Sequence, residues 1–469
     1  MKKLSNSFSE NTEEMDKLLR CGKSFDLIRR PMQVGEETLV FYYIDGFVKD
    51  GVMQRLMQHF LTLKQFDTAE AFAQNQVPYV EVETTDSFAV LSLFVLSGAV
   101  AVLGSSFGEK GVIIDARTYP ARQTSEPESD KVMLGAKDGF VETLIFNTAL
   151  IRRRIRDPRL TMHYENLGGA SGTDVVVCYM EGLADGVYVE KLCKKLASLR
   201  PASLTLGFQS LAEVLIPRRW YNPFPKVRTL ERPDAAAAEL MEGRVLILCD
   251  TSPRVMVLPT SIFDFLQETD DYYFPPLTGS YQRIVRLLAT AMALVLTPLW
   301  YLFLQNPRWL PPAFGFVVPE SLGALPIFWQ LLLAELAIDG LKLASMNTPS
   351  MLSSSLSIIG GLILGDFAVA VGWLAPDVIL YMAMVSIAGF SVKSQELGYA
   401  IKFMRMLLLI LVSLFGVWGF ALGLLFVPLC LVLNTTLNGQ HSYFYPLIPF
   451  DGKAFLRLLF RLKKEKNTP

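Results

Sequence analysis

Leu39-Val-Phe-Tyr-Tyr-Ile-Asp-Gly46 and Asp174-Val-Val-Val-Cys-Tyr-Met-Glu-Gly182 decide the fold of the first half of this chain. Both are short continuous apolar runs, the pattern of strands buried on two faces. Each leads into helical spacing: Val52, Leu56, Phe60 and Leu63 after the first, Val187–Leu199 after the second. The two stretches align at an offset of 136, matching Val40 with Val176, Tyr43 with Tyr179, Gly46 with Gly182, Leu56 with Leu192 and Leu63 with Leu199, while Asp45 faces Glu181. Gly98-Ala-Val-Ala-Val-Leu-Gly104 is echoed by Gly243-Arg-Val-Leu-Ile-Leu-Cys-Asp250 at an offset of 145, and second strands follow at Val112–Asp115 and Val255–Leu258. This reads as an internal duplication: two α/β subdomains, each closing with a β-hairpin.

Ser87–Gly108 tests that reading, because its 22 uncharged residues are long enough to span a bilayer. Its echo at Asp234–Asp250 carries Glu239, Glu242 and Arg244. A duplicated unit should not be membrane-spanning in one copy only. The expectation is a buried helix running into a strand at Gly98.

Composition divides the 469 residues in two. Residues 1–280 hold 31 basic and 37 acidic side chains, net −6, whereas 281–469 hold 13 and 8, net +5. The chain as a whole is 51% hydrophobic with 19% charged residues. A wholly soluble enzyme and a disordered scaffold are both disfavoured. Five scattered cysteines without a CxxC pair fit reduced thiols. Met1–Leu18 is polar and lacks the apolar core of a secretory signal, so the first part is expected in the cytosol.

Beyond Asp270 the character is that of a membrane domain. Leu287–Pro307 follows Arg283 and Arg286 without a charge, Met351–Leu374 is a span except for Asp366, and Val378–Val392 is a shorter one ended by Lys393. Pro326–Ala334 is apolar but short, with Glu335 and Asp339 just beyond. Met406–Phe450 has no charged residue in 45 positions: either one long tilted span with a re-entrant piece, or two spans broken near Pro428. Arg283 and Arg286 place the first part inside. The tail, with Lys453, Arg457, Arg461, Lys463, Lys464 and Lys466, should also be inside, requiring an even number of crossings. Five spans are obvious, so either Pro326–Leu341 does not cross or the last segment crosses twice; Lys393, Lys402 and Arg405 favour the second. Gly361/Gly365 and Gly419/Gly423 are GxxxG pairs suited to close helix packing. Asp366 sits near mid-span, and Glu335 and Asp339 share a helical face. An ion or proton path lined by these carboxylates is one reading; interfacial charges and a helix-pairing Asp366 are the other.

No phosphate-binding loop, dinucleotide fingerprint or HExxH is present, and His59, His163 and His441 are far apart, so no enzyme activity, cofactor or metal site is expected. The run Arg152-Arg153-Arg154 with Arg156 and Arg159 follows a helical pattern near Glu126, Glu128, Asp130 and Asp138. A solvated or salt-bridged face is expected there, and no nucleic-acid partner.

These motifs together resemble the GerA family of spore germination proteins, A-subunit type. The stretches that carry the resemblance are Tyr43-Ile-Asp45-Gly46, Tyr119-Pro-Ala-Arg122 leading to Glu126-Pro127, Gly139-Phe-Val-Glu142 with Asn147, Tyr179-Met-Glu-Gly182, Pro223-Phe-Pro225, Glu231-Arg232-Pro233-Asp234, Asp271-Tyr-Tyr273 and Arg283/Arg286. The family's acidic-Arg-Glu-Ala pattern is absent around Ala334–Leu341. Ala344–Ser350, Val378-Ile-Leu-Tyr381 and Tyr445–Phe450 instead resemble the stage V sporulation protein AF branch, from which Lys393-Ser-Gln-Glu-Leu397 departs. The resemblance implies a multi-pass spore inner-membrane protein with its N-terminal region in the cytosol. It also implies a subunit of an oligomeric ion-conducting complex that supports or amplifies ion release during germination. Membrane lipid, further copies of the chain, and other small membrane or germination-receptor subunits would be its partners. A secondary transporter or a structural membrane subunit of a germinant receptor are the alternatives; no repeat in 281–469 speaks for a transporter.

The expected architecture is therefore an α/β cytosolic region of two similar subdomains followed by an all-α polytopic transmembrane domain. Its parts are a tail at 1–24, subdomains at 25–160 and 161–275, membrane helices at 281–450 and a basic tail at 451–469.

Overall fold

The computed structural model describes residues 2–119, 135–216, 220–268, 270–347, 358, 360–434, 437 and 442–460. Two compact units emerge, Met1–Pro217 with Val227–Thr260, and Arg218–Lys226 with Ser261–Pro469. Residues 220–226 and 261–268 thus pack with the helices, whereas the sequence reading put 161–275 in the second subdomain. The reason is local: Phe224, Ile262, Phe265 and Leu266 are buried in the apolar core of the helical unit.

The first unit contains the duplication. In the first half, α1 (Phe8–Leu19), β1 (Leu27–Val34), β2 (Glu37–Ile44), α2 (Asp50–Thr62), α3 (Ala69–Asn75), β3 (Val82–Thr85), α4 (Phe88–Leu96), β4 (Val100–Gly104) and β5 (Gly111–Ile114) succeed one another. In the second half α5 (Leu144–Arg154), β6 (Leu160–Leu167), β7 (Thr173–Met180), α6 (Gly186–Ser198), α7 (Phe208–Leu215), β8 (Arg228–Leu230), α8 (Pro233–Met241), β9 (Val245–Cys249) and β10 (Val255–Leu258) repeat the scheme. The sheet orders are β1-β2-β4-β5-β3 and β6-β7-β9-β10-β8, antiparallel at every described pair. β2 and β7, like α2 and α6, stand 136 residues apart; β4 and β9, like α4 and α8, stand 145 apart. These are the offsets read from the sequence.

The central strands are apolar on both faces because both are covered. Val40, Tyr42 and Ile44 of β2 pack with α1 and α4, while Leu39 and Phe41 meet Phe60 of α2 and Phe72 of α3. Ser87–Gly108 resolves as expected into the short helix α4 and the fully buried strand β4. The expected N-terminal tail is instead partly the helix α1, whose Met15 and Leu19 are buried in the core. Its polar sequence conceals an amphipathic helix capped by Ser7.

Gly46 ends β2 with φ +80°, and a Cβ there would lie 2.9 Å from the Ile145 side chain, so both backbone conformation and packing require glycine. Burial above all, with the charges of Asp50 and Asp26, pushes the pKa of the neighbouring Asp45 up, outweighing the hydrogen bond from the Gly46 N–H. The folded state therefore holds this proton more tightly than the unfolded chain. Stability should fall as pH rises from the ordinary aspartate range through the raised value. Asp45→Asn is expected to stabilise the unit at neutral pH and to gain nothing once Asp45 is protonated in both states. Urea unfolding of a fragment spanning residues 1–260 at the two pH extremes checks this.

The second unit is helical. It contains α9 (Asp270–Tyr273), α10 (Pro276–Gln305), α11 (Ile327–Asn347), α12 (Gly360–Ala370), α13 (Pro376–Phe390), α14 (Gln395–Val432) and α15 (Gly452–Leu459). Two of these, α10 and α14, are long and apolar enough to cross a membrane. The first part of the expected span Met351–Leu374 lies outside the described residues. α14 is not straight: Gly416 adopts φ 56°, ψ −126°. A Cβ on Gly419 would lie against the Leu411 carbonyl, and one on Gly423 against the Leu408 side chain. Residues eight and fifteen positions apart touch only if the chain folds back. The element is a helical hairpin with arms 395–415 and 417–432, and the glycine pair lets its arms meet. The break falls at Gly416, where positive φ reverses the chain, and not near Pro428, which stays inside a helix.

Candidate functional site

The helical unit concentrates its buried charge in two clusters. In the first, Asp271 is fully buried between Arg283 and Arg286 of α10. Arg286 donates to both carboxylate oxygens at 3.1 Å and to the Leu266 carbonyl at 2.8 Å; Arg283 donates from Nε at 3.1 Å. The two arginines of the basic flank that set the topology are buried, and both are bound to Asp271.

The second cluster joins α11 to the first arm of α14. Arg405 donates to both oxygens of Glu335, at 2.6 and 2.7 Å, and to the Ala293 carbonyl of α10 at 2.7 Å. Lys402 lies 3.1 Å from Glu335 and also binds Asp339. The acids are one turn apart on α11 and the bases one turn apart on α14, so two anions face two cations. Nη2 of Arg405 alone bridges the two carboxylate oxygens while Nη1 serves Ala293, and the short distances make the ion pair a charge-assisted one. Glu335 and Asp339 are thus brought together as expected, with basic partners that sequence reasoning cast only as topology markers. Gln330, fully buried one turn earlier, donates to the Leu322 and Leu325 carbonyls at 2.6 Å and accepts from the Ala375 N–H at 2.7 Å. It ties the entry of α11 to that of α13. Tyr381 stacks on buried Trp300, with ring centroids 4.4 Å apart.

Asp366 is in neither cluster. It lies exposed in a π-helical turn, Ile363–Phe367, inside α12, among exposed Leu362, Ile363 and Phe367. Among the described residues it makes no hydrogen bond or ion pair with another side chain. A π-turn widens the helix locally and recurs at functional positions.

In the first unit the motif residues form turns and helix starts and do not converge on one site. Asp45 takes a backbone bond from its N–H to the Asp26 carbonyl at 2.8 Å; Glu181 repeats this with Arg159 at 3.0 Å. Glu231 pairs with Arg254 at 2.6 Å, and Arg232 folds over Asp234 with Nε at 3.0 Å. Pro233 opens α8, where its missing N–H costs nothing. Glu142 is exposed beside Thr143, the residue preceding α5. Arg122, Glu126 and Pro127 lie outside the described residues. The arginine run divides. Arg154 pairs with Asp138 at 2.6 Å and Arg153 stacks on Tyr119, as a salt-bridged face should. Arg152, however, is 1% exposed and clamps Asp26 with 2.8 and 3.0 Å bonds, so it is a core residue and not a solvated one. A cavity of about 680 Å³ opens beside Arg153, Arg154 and Arg156. Among the described residues no group of three His, Cys, Asp or Glu side chains could hold a metal.

The family described as Bacillus/Clostridium GerA spore germination protein matches residues 15–468. This chain belongs to the GerA family. Stage V sporulation protein AF of Bacillus subtilis is 36% identical over 97% of this chain and 92% of its own length. Spore germination protein KA of the same species is 26% identical over 98% and 85%. Among solved structures, the N-terminal domain of the A subunit of the Bacillus megaterium spore germinant receptor GerK3 is similar to 55% of this chain and 96% of its own, at 24% identity and a TM-score of 0.42. As a GerA-family member the chain is related to germinant-receptor A subunits. Its higher identity to the AF protein agrees with the branch motifs around Tyr381 and Tyr445.

Proposed function

We propose that this GerA-family protein spans the spore inner membrane and, as one of several copies in a ring, supports ion release during germination. The exposed carboxylate of Asp366 on an apolar helix carries the reading. Holding a charge against lipid at mid-membrane depth costs about 2.5–3.5 kcal/mol, so the group should face water or another subunit. A ring of such helices would line a shared polar path. Glu335 and Asp339 are neutralised by Lys402 and Arg405 and are assigned to holding helices together. If both arms of α14 cross, as its fold-back allows, the last segment crosses twice, and an even number of crossings would return the basic tail to the side of the first unit. That side is the cytosol by the positive-inside rule. Relatives named for germination and, in one case, as a membrane protein support the setting.

Asp366→Asn is the test. Cation flux through liposomes containing the variant, normalised to assembled protein, should fall about tenfold while insertion and assembly stay intact. Equal normalised flux with altered assembly would make Asp366 a helix-pairing group and the chain a structural subunit.

A further inference from the structure

We infer that α15 is an in-plane helix that binds the anionic surface of the bilayer, an inference that rests on the membrane reading above. The helix is short and two-sided. Leu458 is buried, and the Arg457 carbonyl accepts a 2.8 Å bond from Arg283 Nη1, which holds the helix beside the start of α10. Asp451 caps it by accepting from the Lys453 and Ala454 N–H groups. What remains outward is chemically specific. Phe450, Leu456 and Phe460 remain 70%, 50% and 45% exposed, a cost in water that the 6.1 Å ring contact of Phe450 with Phe455 offsets only in part.

Lys453 and Arg457, one turn apart, are exposed beside them and enter no salt bridge among the described residues. The sequence continues with Arg461, Lys463, Lys464 and Lys466 against the single acid Glu465. Aromatic and aliphatic groups next to a row of cations match the boundary between acyl chains and acidic headgroups. The anchor to Arg283 places the helix at the end of an apolar helix long enough to cross, which is where that boundary lies. A neutral protein surface would satisfy the apolar residues but not the cations. An acidic bilayer surface satisfies both.

The full chain in lipid nanodiscs tests this, with hydrogen exchange of the peptide covering residues 450–460 as the readout. Discs of zwitterionic lipid are compared with discs containing phosphatidylglycerol. Exchange should be slower in the acidic discs by about fivefold per engaged cation, the factor equivalent to about 1 kcal/mol for a basic residue at an anionic surface. High salt should abolish the difference. Lys453→Gln with Arg457→Gln should return acidic discs to the zwitterionic rate while α10 keeps its protection. Equal exchange in both kinds of disc would overturn the proposal, whether the peptide were protected in both or in neither. A chain that fails to enter discs at all would instead overturn the membrane reading beneath it.

Discussion

Replacing Arg152 with alanine should destabilise the sheet-containing unit by about 3–5 kcal/mol, because it leaves the Asp26 carboxylate buried without its cation. Arg152 and Asp26 are each 1% exposed, and the guanidinium also donates to the Leu160 and Asp157 carbonyls at 2.9 and 3.1 Å. The pair stitches the two duplicated halves. Asp26 precedes β1 in the first half, and Arg152 lies in the last turn of α5 before β6 in the second. Ser24 adds a hydroxyl that accepts from the Met162 N–H at 3.0 Å, and the Phe25 N–H reaches the Met162 carbonyl at 3.1 Å. Loss of the arginine therefore exposes one seam to several unsatisfied groups at once. In a unit of this size the effect should lower the melting temperature by about 10 °C. Thermal unfolding of residues 1–260 followed by circular dichroism reads it. The double variant Asp26→Leu with Arg152→Met should lose much less, since no buried charge is orphaned. If Arg152→Ala melted with the parent, the seam would not depend on this pair.

Residues of one period were legible, and residues whose meaning depends on a partner were not. β2, β7, α2 and α6 follow from their own apolar spacing, and the duplication fixed which of the ambiguous segments were soluble. α4 with β4 is the case in point, where length alone argued for a membrane span. Arg152 was hidden by its neighbours. The run of arginines suggests a wet face, yet Thr148, Ile151 and Arg152 lie on the buried side of α5. Only the position of Asp26, 126 residues away, reveals why. Gly416 was hidden for a related reason. In an apolar stretch every glycine looks alike, and the fold-back shows only when Leu411 and Leu408 are seen against Gly419 and Gly423. The spacing of Glu335/Asp339, four apart, and of Lys402/Arg405, three apart, was present in the sequence, and pairing one turn of acids with one turn of bases would have joined them.

That second network makes the other large prediction. Glu335→Gln should lower the thermal stability of the detergent-solubilised chain sharply, by about 3–5 kcal/mol of folding free energy, because Arg405 is 8% exposed and would keep its charge without a counterion. Lys402 would retain Asp339 but lose its 3.1 Å contact. The Ala293 carbonyl cannot compensate, since it satisfies one N–H and neutralises nothing. α11 would then be free to separate from α14, and the folded fraction surviving heating should drop. Flux per assembled complex should stay near normal, in contrast with Asp366→Asn, where flux should fall and stability hold. The exchange Glu335→Arg with Arg405→Glu restores opposite charges on the same two helices. Its recovery should be partial, because the fork of Arg405 also serves Ala293 on α10 and a glutamate there cannot donate to that carbonyl. A Glu335→Gln chain with parental stability and reduced normalised flux would move Glu335 back into the ion path and take the clamp away from it.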